Sequence, residues 1–303
     1  MRNILTIDVE DYFQVSAFDQ FIPKSQWDHF ESRVEKNTLK ILKILSRKNV
    51  KGTFFILGWI AERYPQLVKT IHFEGHEVAC HGYSHRLVYE QTPEEFRKES
   101  RVAKAILEDI VGTPVLSYRA ASYSITRRSG WALEILAQEG FKYDSSIFPI
   151  VHDRYGIPRA FRQPHVLNFW NGLELIEFPM STLRLFGMNL PVGGGGYFRL
   201  FPYALTRAAI RRLNREDKLP VVFYLHPWEF DPQQPVLATM GLSRFRHYLN
   251  LSQTEFRFCR LLNDFNFTSL SSAAASLHFD HQDVQQLLGI CGGPPKDGKQ
   301  TAL

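Results

Sequence analysis

Short runs of β-branched and aromatic residues in this chain stop, one after another, on a charged or titratable side chain. The run 4–7 stops on Asp8, 78–80 on His81 and 221–225 on His226, and two shorter apolar segments stop on Arg119 and Asp144. Stretches of helical spacing lie between them, and repeated strand-helix alternation implies a mainly parallel sheet. Parallel strands bring their C-terminal tips to one edge, where barrel enzymes keep their reactive groups. The five tips therefore predict one shared pocket.

The pattern predicts strands at 4–7, 52–56, 76–80, 115–118, near Tyr143, at 175–178 and before His226. Helices are expected at 37–47, 65–73, 92–111, in a stretch ending at Gly140, and at 202–213. The clearest is 92–111, where Thr92-Pro93-Glu94-Glu95 forms a capping box with Pro in the first turn and Gly112 closes the far end. A chain of 303 residues with 44% hydrophobic content suits a single α/β domain of barrel size. That domain is expected over 1–291, with a core to about 230 and appended elements at 231–291. The tail 292–303, GGPPKDGKQTAL, reads as disordered. Between about 152 and 201 the pattern lapses into Pro, Gly and aromatic residues and reads as loop packing. Its glycine run, 193–196, is followed by Tyr197-Phe198-Arg199 where a phosphate loop needs Lys-Ser/Thr, so a lid or tight turn is expected.

The tips also specify chemistry. Asp8, Glu10 and Asp11 crowd three carboxylates together, which calls for a cation or shared protons. His81 and His85, four residues apart, can converge on one ion, and two histidines with one carboxylate are the set used by hydrolytic zinc and facial-triad metals. Among eleven histidines such a pair also arises by chance. A second one, His72 and His76, reads as structural because Gly75 ends a helix between them. Strand alternation puts Asp8 and Glu10 on one side, which favours Glu10 as the carboxylate ligand, whereas a turn beginning at Val9 would present Asp11. His226, at a strand tip and followed by Pro227, is placed to exchange protons with a substrate.

A net charge of +5 is dispersed, with only short clusters such as Arg211-Arg212 and no basic arm or readout helix, so nucleic acid is not the expected partner. Cys80, Cys259 and Cys291 show no paired spacing, and Cys80 reads as a small buried hydrophobe rather than a ligand. No apolar stretch reaches the ~20 residues of a transmembrane segment. The first strand starts so close to Met1 that no export signal fits, which makes the cytoplasm the expected location.

The segments LTIDVED, GTFFILGWIAERYP, GHEVACHGYSH, YRAAS, YDSSIFP and YLHPWEF, in this order, resemble the NodB-type polysaccharide deacetylases, from about residue 1 to 226. The stretches IDVEDYFQVSAF, GGGGYFR and LHPWEFDPQQP are most similar to the subgroup of exosortase/PEP-CTERM extracellular-polysaccharide loci. The resemblance implies a distorted, incomplete (β/α) barrel of about seven parallel strands. It also implies removal of acetyl groups from an acetylated oligo- or polysaccharide with a divalent metal: zinc, cobalt or nickel. Asp8 would be the general base, Arg119 its holder, His226 the general acid, and His81 and His85 metal ligands with Glu10 or Asp11 as the third. Asp144 matches the family's acidic motif loosely and joins the catalytic candidates. A backbone N–H near Ser122 would serve the oxyanion. Val9 replaces the family's second aspartate, Gly82 its Ser or Thr, and Ala120 its Pro. The aromatic residues of 152–201, among them Trp170, Phe186, Tyr197 and Phe198, would suit sugar stacking. Two rival readings are a ureide or cyclic-imide hydrolase of the same fold and a non-catalytic glycan-binding protein.

Overall fold

The computed structural model describes residues 1–237 and 241–289; Cys291 and the tail 292–303 lie outside the described residues. Among the described residues twelve strands follow one another: β1 Asn3–Val9, β2 Thr53–Ile56, β3 Glu77–Cys80, β4 Ser117–Tyr118, β5 Tyr143–Asp144, β6 His165–Asn168, β7 Glu174–Glu177, β8 Thr182–Leu185, β9 Met188–Pro191, β10 Val222–Leu225, β11 Phe267–Thr268 and β12 Asp280–Asp283. The large sheet runs β10-β1-β2-β3-β4-β5-β7-β6-β12. From β10 to β7 every neighbouring pair is parallel, a run of seven strands, and β6 then joins antiparallel. Among the described residues the two ends of the sheet do not pair with each other, so this is an incomplete, distorted (β/α) barrel.

β1 is buried along its whole length because both faces are covered. Ile4 packs with one core cluster and Leu5, Ile7 and Val9 with the other. Parallel strands covered on both sides read as unbroken apolar runs rather than alternating ones, which is why this element stood out in the sequence. The helix Pro93–Val111 has its capping box, Glu95 N–H donating to Thr92 Oγ1 at 3.2 Å and Thr92 N–H to Glu95 at 2.9 Å, and ends on Gly112 at φ 70°. Gly75, at φ 78°, closes the helix Pro65–Phe73. His76 is thereby turned inward against Phe54, away from His72.

Beyond the strand expected at 175–178, which is β7, the region 152–201 is more ordered than the loop packing expected from its composition. It contains β6, β7, the β8–β9 hairpin and the helix Gly195–Leu200. Its strands are four residues long and partly exposed, with Gly, Pro and Asn between them, so no hydrophobic period develops. The glycine run is likewise neither lid nor free turn, since Gly194 forms a parallel bridge with Tyr224. A Cβ on Gly194 would lie 2.0 Å from the Tyr224 carbonyl oxygen, and its φ is 119°. The glycines let this backbone lie directly on β10. The C-terminal elements enter the sheet too: β11 pairs with β1, and β12 forms the edge beside β6.

Candidate active site

The parallel strands deliver their tips to one cavity of about 160 Å³. Asp8, Glu10, His81, His85 and His226 line it together with Val15, Ser122, Tyr123, Tyr155, Tyr224 and Trp228. Larger hollows lie elsewhere, around the β8–β9 hairpin. Chemistry rather than size singles out this cavity, because it holds the clustered ionisable groups.

Glu10, His81 and His85 each offer a ligand atom, all within 4.8 Å of one another, and all three residues are buried. Glu10 Oε2 lies 3.0 Å from His85 Nε2 without hydrogen-bond alignment and has no other partner. His81 Nδ1 is 2.8 Å from the Arg119 carbonyl oxygen, to which it donates, leaving Nε2 as a lone-pair donor. Burial pushes the His81 imidazole down to about 4, Asp8 notwithstanding, so it is neutral at pH 7. A neutral imidazole, an unspent buried carboxylate oxygen and a second histidine fit a divalent cation. His85 reaches the cluster from a turn with φ 53°, and Gly82 before it sits at φ 74°. Glycine adopts that conformation without the Cβ penalty, which accounts for Gly82 at a place where Ser or Thr is otherwise expected.

Asp11 is a correction to the open pair of carboxylates. Its Oδ2 accepts from Ser32 Oγ at 2.8 Å and from the N–H groups of Arg33 and Val34 at 2.7 and 3.1 Å. Its Oδ1 accepts from Tyr12 N–H at 2.9 Å. The carboxylate thus satisfies orphan donors at the start of the helix Val34–Lys48 and does not join the histidines.

Asp8 is gripped by Arg119, whose Nη1 donates to Asp8 Oδ1 at 2.6 Å and to Thr6 Oγ1 at 2.7 Å. The same guanidinium reaches the Ser145 carbonyl and hydroxyl at 3.0 and 2.8 Å and lies over the Phe55 ring. Arg119 is fully buried and is no surface charge. Asp144 is a second correction, because it does not line the cavity. It accepts from Ser146 Oγ at 2.6 Å and faces Glu177. Burial raises both carboxyls, Glu177 most, and Asp144 adds to the rise at Glu177, so the pair shares a proton. Its work is structural: Ser146 Oγ accepts from Ala120 N–H, which fixes the loop behind Arg119.

His226 faces the cluster from β10. Its Nε2 is 3.1 Å from Glu10 Oε1 and 4.0 Å from Asp8 Oδ2, and its ring stacks on Trp228. On the other side Nδ1 lies 2.8 Å from Glu229 Oε1. Burial would lower this imidazole, but Glu10 and Glu229 outweigh it and raise it to about 9.

Sequence reasoning missed Glu229 and Arg199. Glu229 is held by Arg199 Nε at 2.6 Å, both fully buried, and Arg199 Nη1 also caps the carbonyls of Arg246, His247 and Leu249 at 2.8–3.0 Å. A signal for Glu229 existed: His226-Pro227-Trp228-Glu229 is a capping-box spacing with Pro in the first turn. The rings expected to stack sugars are mostly elsewhere. Phe198 is buried, Trp170 and Phe186 point to solvent, and Tyr197 lines a neighbouring hollow. The aromatic rings of the cavity itself are Tyr123, Tyr155, Tyr224 and Trp228.

Residues 21–143 match the family model described as polysaccharide deacetylase, and residues 145–275 match a domain of unknown function, DUF3473. A peptidoglycan-N-acetylglucosamine deacetylase of Bacillus cereus is 41% identical over 75 residues, covering 25% of this chain and 27% of that protein. The chain spans about a quarter to two fifths of the length of the first curated relatives it matches. Among solved structures, one assigned to the polysaccharide deacetylases of Mycobacterium smegmatis aligns over 91% of both chains at 20% identity, with a TM-score of 0.59. Puue allantoinase aligns over 90% of this chain and 88% of its own at 15% identity, with a TM-score of 0.57. Both share the fold.

Proposed function

Because residues 21–143 match the polysaccharide deacetylase family model, we propose that the chain is a metal-dependent hydrolase removing acetyl groups, N-acetyl above all, from a polysaccharide or its precursor during exopolysaccharide biosynthesis. The observation that carries this reading is the convergence of Glu10, His81 and His85 within 4.8 Å, with Asp8 held on one side and His226 facing it. Glu10, His81 and His85 would hold the cation, zinc or else cobalt or nickel, which lowers the pKa of water and polarises the acetyl carbonyl.

The protein's own groups divide the remaining work. Asp8 is the base that takes the proton from the attacking water, and the Arg119 grip at 2.6 Å fixes its orientation. His226, whose imidazolium Glu229 favours at 2.8 Å from Nδ1, supplies the proton to the leaving sugar nitrogen. Its Nδ1–H bond to Glu229 keeps Nε2 aimed into the cavity. Ser122, in a turn with φ 49° at the cavity wall, carries the backbone N–H proposed for the oxyanion. Such a donor contributes on the order of 3 kcal/mol.

The test combines metal analysis with acetate release from N-acetylglucosamine oligomers. Wild-type protein should bind one cation and release acetate. His226→Ala should lower turnover about 10²–10⁴-fold with the cation retained, and His81→Ala should lose both. Hydrolysis of a cyclic ureide without acetate release would transfer the chain to the amide-hydrolase reading. Oligomer binding without turnover by the metal-loaded protein would make it a glycan-binding protein.

A further inference from the structure

Two hollows of about 750 and 650 Å³ flank the β8–β9 hairpin rather than the catalytic cleft. The hairpin turns on Phe186 and Gly187, at φ 49° and 80°. A two-residue turn with both residues left-handed is normally filled by Asn-Gly or Asp-Gly. Here a phenyl side chain accepts the left-handed penalty and is 96% exposed. Neither the backbone nor the core accounts for that ring. Met188, Leu190, Val151, Phe201 and Leu205 are exposed beside it, and all five line one or both hollows. An apolar patch of this extent marks an interaction surface.

Charge says which kind. The first hollow is lined by Arg159, Arg162 and Arg184, the second includes Arg212, and neither lining contains an acid. Arg162 pairs with Asp217 and Arg212 with Glu216; among the described residues Arg159 and Arg184 have no such partner. A second copy of this chain is a poor occupant, because a two-fold interface sets a patch against itself and would bring arginine against arginine. An apolar tip between unpaired guanidiniums is instead the chemistry of binding to an anionic bilayer surface. No helix among the described residues is long and apolar enough to cross a membrane.

We propose that the β8–β9 hairpin docks the protein on anionic membranes: Phe186 and Met188 enter the boundary between headgroups and acyl chains, and Arg159 and Arg184 meet the lipid phosphates. The inference is independent of the deacetylase reading, since it concerns a different face and needs no turnover.

The test is flotation of the full chain with phosphatidylcholine vesicles, with or without about one part in four of phosphatidylglycerol. The wild-type chain should float with the anionic vesicles, less so as salt rises, and not with phosphatidylcholine alone. Phe186→Asn places a residue that accepts the left-handed turn, so thermal stability should hold while membrane partition falls about tenfold or more. Arg159→Glu with Arg184→Glu should remove the preference for anionic lipid. Failure of the wild-type chain to float, or unchanged partition of Phe186→Asn, would overturn the proposal. So would a dimer in light scattering that Phe186→Asn dissociates while vesicles are ignored.

Discussion

At the catalytic cleft Asp8, Arg119, Glu10, His81, Glu229 and Arg199 are buried, His226 is half-buried, and ion pairs and hydrogen bonds link them. At the β8–β9 hairpin Arg159 and Arg184 stand in solvent without an acidic partner among the described residues, and a phenyl ring sits on a left-handed turn in the open. The same residue types thus do different things. In the cleft, charge is already compensated within the fold, so the groups are oriented before any substrate arrives, which is the condition for electrostatic catalysis. At the hairpin nothing among the described residues compensates Arg159 and Arg184 or covers the ring, and both are left for an external partner.

The largest expected effect tests the cleft side of that contrast. Arg119→Ala leaves the Asp8 carboxylate buried and unpaired, and strips the contacts to Thr6 and Ser145. Loss of one partner from such a pair costs about 3–5 kcal/mol. Arg184→Ala on the hairpin should change stability by no more than about 0.5 kcal/mol. Urea unfolding of the two variants decides the matter, and equal losses would erase the distinction.

The same contrast explains what was legible in the sequence. Asp8, His81, Arg119 and His226 could be found because each ends a short strand flanked by buried apolar residues, and parallel geometry brings those tips together. The helix Pro93–Val111 was legible through its cap and its closing glycine. Glu10 and Asp11 could not be separated, since alternation along β1 says nothing of the helix whose free N–H groups Asp11 serves. Asp144 misled because a strand-tip acid looks the same whether it faces the cavity or shares a proton with Glu177 behind it. Within 152–201 the strand expected at 175–178 is β7, whereas β6, β8 and β9 escaped because they are four residues long and partly exposed, so no hydrophobic period marks them.

Two glycines of that region separate backbone contact from open turn. A Cβ on Gly194 would fall 2.0 Å from the Tyr224 oxygen, whereas one on Gly187 meets nothing within 4 Å. Both have positive φ, so both alanine variants carry the left-handed penalty of about 1–2 kcal/mol. Gly194→Ala adds a steric clash with β10 and should lose about 3 kcal/mol in all; Gly187→Ala should lose only the penalty. Thermal melts with similar losses for the two would mean that the glycine run does not rest on β10 as described.

The smallest effect concerns a place where the cleft meets the region 152–201. Arg199 belongs to the helix Gly195–Leu200, which begins within the glycine run, yet it holds Glu229 and through it His226. Glu229→Gln alone would strand a buried guanidinium, so Arg199→Met accompanies it. In the double variant His226 keeps an oxygen acceptor at Nδ1 but loses a nearby negative charge, and its imidazolium is less favoured. His226 acts as an acid only while protonated, below about 9, so the basic limb of the pH profile should move to lower pH. Turnover near pH 6 should barely change, and turnover near pH 8 should fall severalfold, with bound metal constant. A profile lowered evenly at all pH values would mean that Arg199 and Glu229 only support the fold, and that the cleft is tuned without help from 152–201.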